Sequence, residues 1–159
     1  MPLLKLNPKP KKTIFKSSIK SPQKIPKVLI DISKNKIAIQ SALQRVNKEL
    51  PQSKIYYKEM LDVVSNSTKD IDSARNILKT EKISESKINE ILDPIESKRE
   101  EFLKKFNDFL RHSIESQNNK SLRDFTMPAF TKAHFEASEY RKLKADLISK
   151  IVKLATKSK

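Results

Sequence analysis

Residues 93–119 read DPIESKREEFLKKFNDFLRHSIESQNN, and this stretch predicts a long amphipathic helix. Asp93, Pro94 and Glu96 have the order of an N-cap acid, a first-turn proline and a capping-box glutamate, so we predict a helix beginning near residue 94. The Asn118-Asn119 pair is expected to end it near residue 117, because the chain has no glycine for this position. The apolar residues that form its predicted core face are Ile95, Phe102, Leu103, Phe106, Phe109, Leu110 and Ile114.

The phenylalanines of this face could also be read as a platform on which bases stack. Phe102, Phe106 and Phe109 are spaced i, i+4, i+7 and lie beside leucines. Proteins that bind single strands present their aromatic residues among polar neighbours instead. The spacing therefore favours a core face over a stacking platform.

A second long helix is predicted over residues 130–155, after a loop of about ten residues that runs through Pro128. Because so short a connection brings neighbouring helices together in opposite directions, we predict an antiparallel pair formed by residues 94–117 and 130–155. The predicted core residues of the second helix are Phe130, Ala133, Ala137, Tyr140, Leu147, Ile151 and Leu154.

Shorter helices are predicted within residues 32–92, and Pro51 should end the first of them at Leu50. Ser67 and Asp70 have capping-box spacing and predict that another helix starts there. The fold class is therefore all-α: a helical bundle in one domain over residues 31–159, preceded by a basic extended arm. The predicted starts of the shorter helices are Asp31 or Ser33, Ser53, Ser67 and Ser84.

Residues 1–30 form that arm, with eight lysines, no acidic residue and five of the eight prolines. Such a segment cannot bury enough apolar surface to form its own core, whereas its charge suits a polyanion. Apolar residues such as Ile14 and Phe15 are interleaved with the lysines. We therefore expect the arm to become ordered along a partner.

Charge is zoned along the chain, with a net of +8 in residues 1–30, +1 in residues 31–118 and +6 in residues 119–159. The predicted last helix carries five lysines within an arc of about 80°, opposite its apolar stripe. Two basic ends beside a nearly neutral centre predict contact with nucleic-acid phosphates at two places. The predicted contact residues are Lys5, Lys9, Lys11, Lys12, Lys16, Lys20, Lys24, Lys27, Lys142, Lys150, Lys153 and Lys157.

The composition excludes several kinds of catalytic site. Without glycine there is no phosphate-cradling or dinucleotide-binding loop, and without cysteine there is no thiol nucleophile or thiolate metal site. The only histidines, His112 and His134, have no metal-ligand spacing, and Glu100-Glu101 is expected to be a solvated pair. We therefore expect no enzyme, no cofactor, no bound metal and no small-molecule substrate.

The sequence predicts a non-catalytic structural component of a large nucleoprotein assembly, such as a ribosome-like particle or a virion, with nucleic acid and neighbouring proteins as partners. The alternative is a protein-only assembly factor whose arm ties subunits together. A membrane-surface protein is disfavoured by acids on the polar face of the last helix. The protein is expected inside a cell or within a virion. Import into the mitochondrial matrix is disfavoured because arm prolines would break a presequence helix.

The arm carries two resemblances to known families. Ser21-Pro22-Gln23-Lys24 resembles the serine-proline-x-basic units of histone tails, which implies minor-groove contact and charge control by phosphorylation. The arm as a whole is similar in a general way to ribosomal-protein extensions that thread into RNA. Those extensions are rich in arginine and glycine, and residues 1–30 contain neither, so no family is assigned.

Overall fold

The structure is a computed structural model that describes residues 30–157, with side chains described as far as Thr156. These residues are helical and contain no strand, which confirms the predicted all-α class. They form four α-helices: α1 (Lys36–Glu49), α2 (Ser53–Thr80), α3 (Glu85–Asn118) and α4 (Thr126–Lys157). Short 3-10 helices at Ser33–Asn35 and Lys120–Phe125 precede α1 and α4. The predicted arm lies outside the described residues except for Ile30.

The predicted helix start at Ser67 is wrong, because α2 continues through it from Ser53 to Thr80. Ser67 is buried, and its Oγ accepts a hydrogen bond from Nε of Arg99 in α3 at 2.9 Å. Asp70 accepts a hydrogen bond from Lys144 in α4 at 2.6 Å. Both side chains of the predicted capping box therefore hold α2 against its neighbours.

The predicted helix start at Asp93-Pro94 is also wrong, because α3 begins at Glu85 and contains Pro94. Ser84 is its N-cap, and Ser84 Oγ accepts a hydrogen bond from the Lys87 N–H at 3.2 Å. Glu96, the predicted capping-box glutamate, instead pairs with Arg75 of α2 at 2.8 Å. The helix continues past Pro94 because the buried apolar residues on one face of α3 also continue past it. The buried residues of that face around Pro94 are Ile88, Leu92 and Ile95.

The core contains the predicted phenylalanine face of α3. Phe102, Phe106 and Phe109 are fully buried, which confirms the core interpretation and excludes a stacking platform. The ring of Phe106 lies 5.5 Å from that of Phe102 and 6.1 Å from that of Tyr57 in α2, measured between centroids. Among the predicted core residues of the last helix, the fully or almost fully buried ones are Phe130, Ala133, Ala137, Tyr140 and Leu147.

The last two helices are longer than predicted, and they contact each other at several levels. The rings of Phe109 and Phe130 are 5.3 Å apart, and Lys98 Nζ lies 2.8 Å from Glu136 Oε1. The hydrogen bond to Glu136 raises the pKa of Lys98, so this lysine stays charged. Seven residues separate α3 from α4, and six of them form the 3-10 helix Lys120–Phe125. The end of α3 at Asn118 agrees with the predicted asparagine stop.

The described chain is anchored at its start to the C-terminal half of α3. The backbone N–H of Ile30 donates to Oδ1 of Asn107 at 2.8 Å. Asp31 accepts a hydrogen bond from the Lys34 N–H at 3.2 Å beside the first 3-10 helix. The predicted cap at Asp31 or Ser33 is wrong, because α1 begins at Lys36 with Asn35 as its N-cap and no side-chain capping bond. Residues 1–29 therefore join the bundle beside Asn107.

The turn from α2 to α3 places a lysine where glycine is usual. Lys82 has a φ of 63°, the only positive value among residues 30–157. The N–H of Ile83 donates to the Leu78 carbonyl at 3.1 Å, and that of Lys82 donates to the Lys79 carbonyl at 3.0 Å. These two bonds define a Schellman motif with Lys82 at the left-handed position.

Replacing Lys82 with glycine is expected to raise the free energy of unfolding by about 1 kcal/mol, because the left-handed conformation costs a residue with a Cβ atom roughly that much. Lys79→Gly is the matched control. Lys79 is exposed in the last turn of α2, where glycine should instead lower the stability by about 1 kcal/mol. Denaturant unfolding measures both. If Lys82→Gly and Lys79→Gly both lowered the free energy of unfolding, the backbone strain assigned to Lys82 would be contradicted.

Candidate nucleic-acid interface

The predicted lysines of α4 lie on its solvent side. Lys142, Lys150 and Lys153 are exposed, whereas Leu147 on the other side of the helix is buried. Lys157 is the last residue of α4, and its side chain is outside the described part. From Lys142 to Lys157 the helix rises about 22 Å. The described lysines therefore form an accessible basic strip along the C-terminal half of α4.

The lysines of this strip differ in how they are neutralised. Lys142 pairs with Glu139 at 3.1 Å, one turn earlier in α4. Lys150 and Lys153 form no ion pair with any residue from 30 to 157, in contrast with Lys144, which pairs with Asp70. A surface pair such as Lys142–Glu139 contributes little to stability, so a phosphate could displace the glutamate at low cost. A phosphate could contact Lys150 and Lys153 without displacing an acidic side chain.

A groove of about 290 Å³ runs beside these lysines, between α3 and the C-terminal half of α4. Pro94 contributes to its wall, and proline has no N–H to donate to the carbonyl of Glu90. Asp146 lies on the same rim as Lys150 and Lys153 and reduces the positive potential there. The groove is lined by Ile91, Pro94, Ile95, Leu143, Asp146, Leu147, Ser149, Lys150 and Lys153.

The eight predicted arm lysines, Lys5 to Lys27, all lie outside the described residues. The chain leaves α3 beside Asn107, and the contact of Phe109 with Phe130 places this level near the start of α4. Lys150 is 20 residues further along α4, or about 30 Å. The described structure therefore does not bring the root of the arm and the basic end of α4 together. A fully extended chain of 29 residues has a reach of about 100 Å, which exceeds this separation.

The histidines lie in two different surroundings. His134 stacks on Tyr56 of α2, with centroids 3.8 Å apart, and its Nε2 lies 3.0 Å from Oε1 of Glu59. The hydrogen bond from His134, together with Arg141, lowers the pKa of Glu59 against the opposing effect of burial. This cluster holds α2 to α4. His112 stacks on Phe125, which is 54% exposed.

The predicted solvated pair Glu100-Glu101 is exposed on α3. Neither glutamate forms an ion pair among residues 30–157. Within these residues, no group of three or more His, Cys, Asp or Glu side chains could hold a metal ion. No helix in the same range has an apolar stretch suited to crossing a bilayer.

Arginines are the cationic residues that the sequence interpretation overlooked. Arg45 and Arg123 both contact Ser116 at the end of α3, although 71 residues separate Arg45 from Ser116 along the chain. Arg99 is buried and bonds to hydroxyls of α2. No local motif marks these positions: the contacts of Arg45 and Arg99 join distant parts of the sequence, and that of Arg123 crosses from the 3-10 helix back to the end of α3.

Comparison of the chain with models of protein families, with curated proteins and with solved structures found no match.

Proposed function

We propose that the chain is a non-catalytic structural component of a large nucleoprotein assembly and binds nucleic-acid phosphates through its lysine-rich arm and the C-terminal half of α4. The observation that carries this proposal is the accessibility of Lys150 and Lys153, which are exposed and have no carboxylate partner in the described structure. The acid-free arm adds eight further lysines. A chain with a net charge of +15 is also expected to associate rapidly with a polyanion.

Recognition by these lysines would be independent of base sequence. A lysine ammonium is a point charge, whereas arginine presents a planar fork that matches guanine edges and phosphates. All twelve predicted contact residues are lysines. The partner would therefore be held by its backbone, as suits a packaging or scaffolding role.

The relative direction of α3 and α4 bears on where the two basic regions would lie. We propose that α3 and α4 act as a long antiparallel pair, since their contacts at Phe109–Phe130 and Lys98–Glu136 run in opposite chain directions. The pair would be a rigid rod, with the arm joined near one end and the basic strip at the other. Nucleic acid and neighbouring proteins would be bridged along its length.

The proposal is tested by the salt dependence of nucleic-acid binding by the full chain. Replacing Lys150, Lys153 and Lys157 with glutamine is expected to lower the slope of log affinity against log salt by about 2, because each phosphate contact contributes about 0.7 on a single strand and about 0.9 on a duplex. The matched control is the triple glutamine variant of Lys54, Lys58 and Lys69. These α2 lysines are exposed and unpaired in the described structure, and their loss removes the same charge. Equal slopes in the two variants would count against the α4 strip as a binding surface.

A protein-only assembly factor is the second candidate, and one feature of α4 favours it. Ile148 and Val152 are 52% and 57% exposed, one helical turn apart, beside the lysine strip. Exposed apolar residues at this spacing suit contact with another helix. Apolar docking depends weakly on salt, whereas phosphate binding releases counterions and weakens steeply as salt rises. The same salt series therefore separates the two candidates.

A further inference from the structure

Two arginines from distant parts of the chain meet at the carboxyl end of α3. Nη2 of Arg45, in α1, donates to Oγ of Ser116 at 2.8 Å. Nε of Arg123, in the 3-10 helix before α4, donates to the carbonyl oxygen of the same serine at 3.5 Å. Thr126, the first residue of α4, has its Oγ1 3.5 Å from Nη2 of Arg45. We call Arg45 and Arg123 the arginine pair.

Neither member of the arginine pair has a carboxylate partner among residues 30–157. No ion pair among residues 30–157 includes Arg45 or Arg123. Glu49 and Asp124, their nearest acids along the chain, are exposed and also take part in none. Two guanidinium charges thus converge on one serine without neutralisation. By contrast, three other arginines each form an ion pair with an acidic side chain: Arg75, Arg111 and Arg141.

The pair also has unused hydrogen-bond donors. A guanidinium carries five N–H groups. Nε of Arg45 is buried and has no hydrogen-bond partner, and the terminal nitrogens of Arg123 have none among residues 30–157. Nδ1 of His112, one turn before Ser116, is likewise buried without a partner. Burial, followed by repulsion from Arg123, lowers the pKa of Arg45, and an added anion would offset the repulsion between the two guanidinium groups.

We propose that Arg45 and Arg123 bind one phosphate group of a nucleic-acid strand through their guanidinium groups. This inference rests on the proposed function and adds to it a site of fixed geometry. Phosphate has several acceptor oxygens in a tetrahedral arrangement, and guanidinium forks bind them with paired hydrogen bonds. Both arginines are partly exposed rather than enclosed. This openness suits a phosphate on a long strand that lies across the surface.

The position of the pair supports a strand as its ligand. Ser116 is nine residues beyond Asn107, where the chain enters the bundle, or about 14 Å along the axis of α3. Lys150, in the basic strip of α4, is about twice as far from that point. The arginine pair therefore lies nearer than the strip to the root of the lysine-rich arm. A strand that follows the arm back to its root would pass within reach of the pair.

The test uses the full chain and a single-stranded oligonucleotide, with affinity measured over a range of salt concentrations. Arg123→Gln and Arg45→Gln are each expected to lower the log–log salt slope by about 0.7 and the affinity at 0.1 M salt by roughly fivefold. Arg111→Gln is the matched control, because Arg111 lies near the same end of α3 but pairs with Asp108 and Glu115. Its slope should equal that of the wild type. If Arg45→Gln does not fold, Arg123→Gln carries the test, since it lies in the segment between the long helices.

A second measurement needs no variant. Titration of the wild type with inorganic phosphate should shift the Nε–H resonances of Arg45 and Arg123 and leave that of Arg111 in place. An unchanged salt slope in a well-folded Arg123→Gln variant, with nucleic-acid binding intact, would overturn the phosphate site and leave the proposed function standing. It would mean that the arginines only cap the carbonyl end of α3. A wild type that binds no nucleic acid at low salt would overturn both.

Discussion

Replacing Phe106 with alanine is expected to lower the free energy of unfolding by about 3–5 kcal/mol. Phe106 is fully buried at the centre of α3, and its ring lies near those of Phe102, Phe109 and Tyr57. Removing the ring gives up its apolar burial and leaves a cavity that the surrounding rings, held on two different helices, can fill only in part.

Denaturant unfolding of the purified chain measures this effect. Phe135→Ala is the matched control, because Phe135 is 59% exposed on α4 and its loss should change the stability by less than about 0.5 kcal/mol. Similar, small effects for both substitutions would mean that the phenylalanine face of α3 is accessible. The stacking-platform interpretation would then return.

Deleting residues 1–27 is expected to lower the log–log salt slope of nucleic-acid binding by roughly two to four units. The deletion removes eight lysines, and about half of them should touch phosphate at 0.7 to 0.9 units each. It leaves in place the hydrogen bond between Ile30 and Asn107, so the bundle should keep its stability. The deletion removes charged and apolar residues together and leaves residues 30–157 intact.

A second variant separates those two contributions. Substitution of the eight arm lysines by glutamine keeps the prolines and the apolar residues but removes the charge. Phosphate binding predicts the same loss of slope as the deletion. If glutamine substitution leaves affinity intact while deletion abolishes it, the arm acts through apolar docking on protein. That result would favour the protein-only assembly factor.

Both misplaced helix starts have one physical cause. Ser67 with Asp70, and Asp93 with Pro94 and Glu96, have the local chemistry of helix N-termini. In the folded chain, however, their polar side chains contact other helices, as in Ser67 with Arg99 and Glu96 with Arg75. Helix continuity is set by the buried stripes on either side, which a capping signal cannot interrupt. A sequence read locally cannot distinguish a cap from an interhelical contact.

The core was predictable because it depends on periodicity within single helices. Phe102, Phe106 and Phe109 repeat at helical spacing in a short stretch, and their burial follows from that pattern. The exposed lysines of α4 were found in the same way. The arginine pair was not, because Arg45 and Arg123 lie in different elements and meet only through Ser116. Only the packing of α1 against the end of α3 brings these charges together.

The proposed function is tested most directly on the protein in its natural assembly. The sedimentation of the native protein in a gently prepared lysate would be compared before and after treatment with ribonuclease and deoxyribonuclease. A phosphate-bound structural component is expected to sediment with large particles and to shift to the position of free protein once the nucleic acid is digested. A protein that stays in large particles after complete digestion would contradict nucleic-acid binding as its means of attachment.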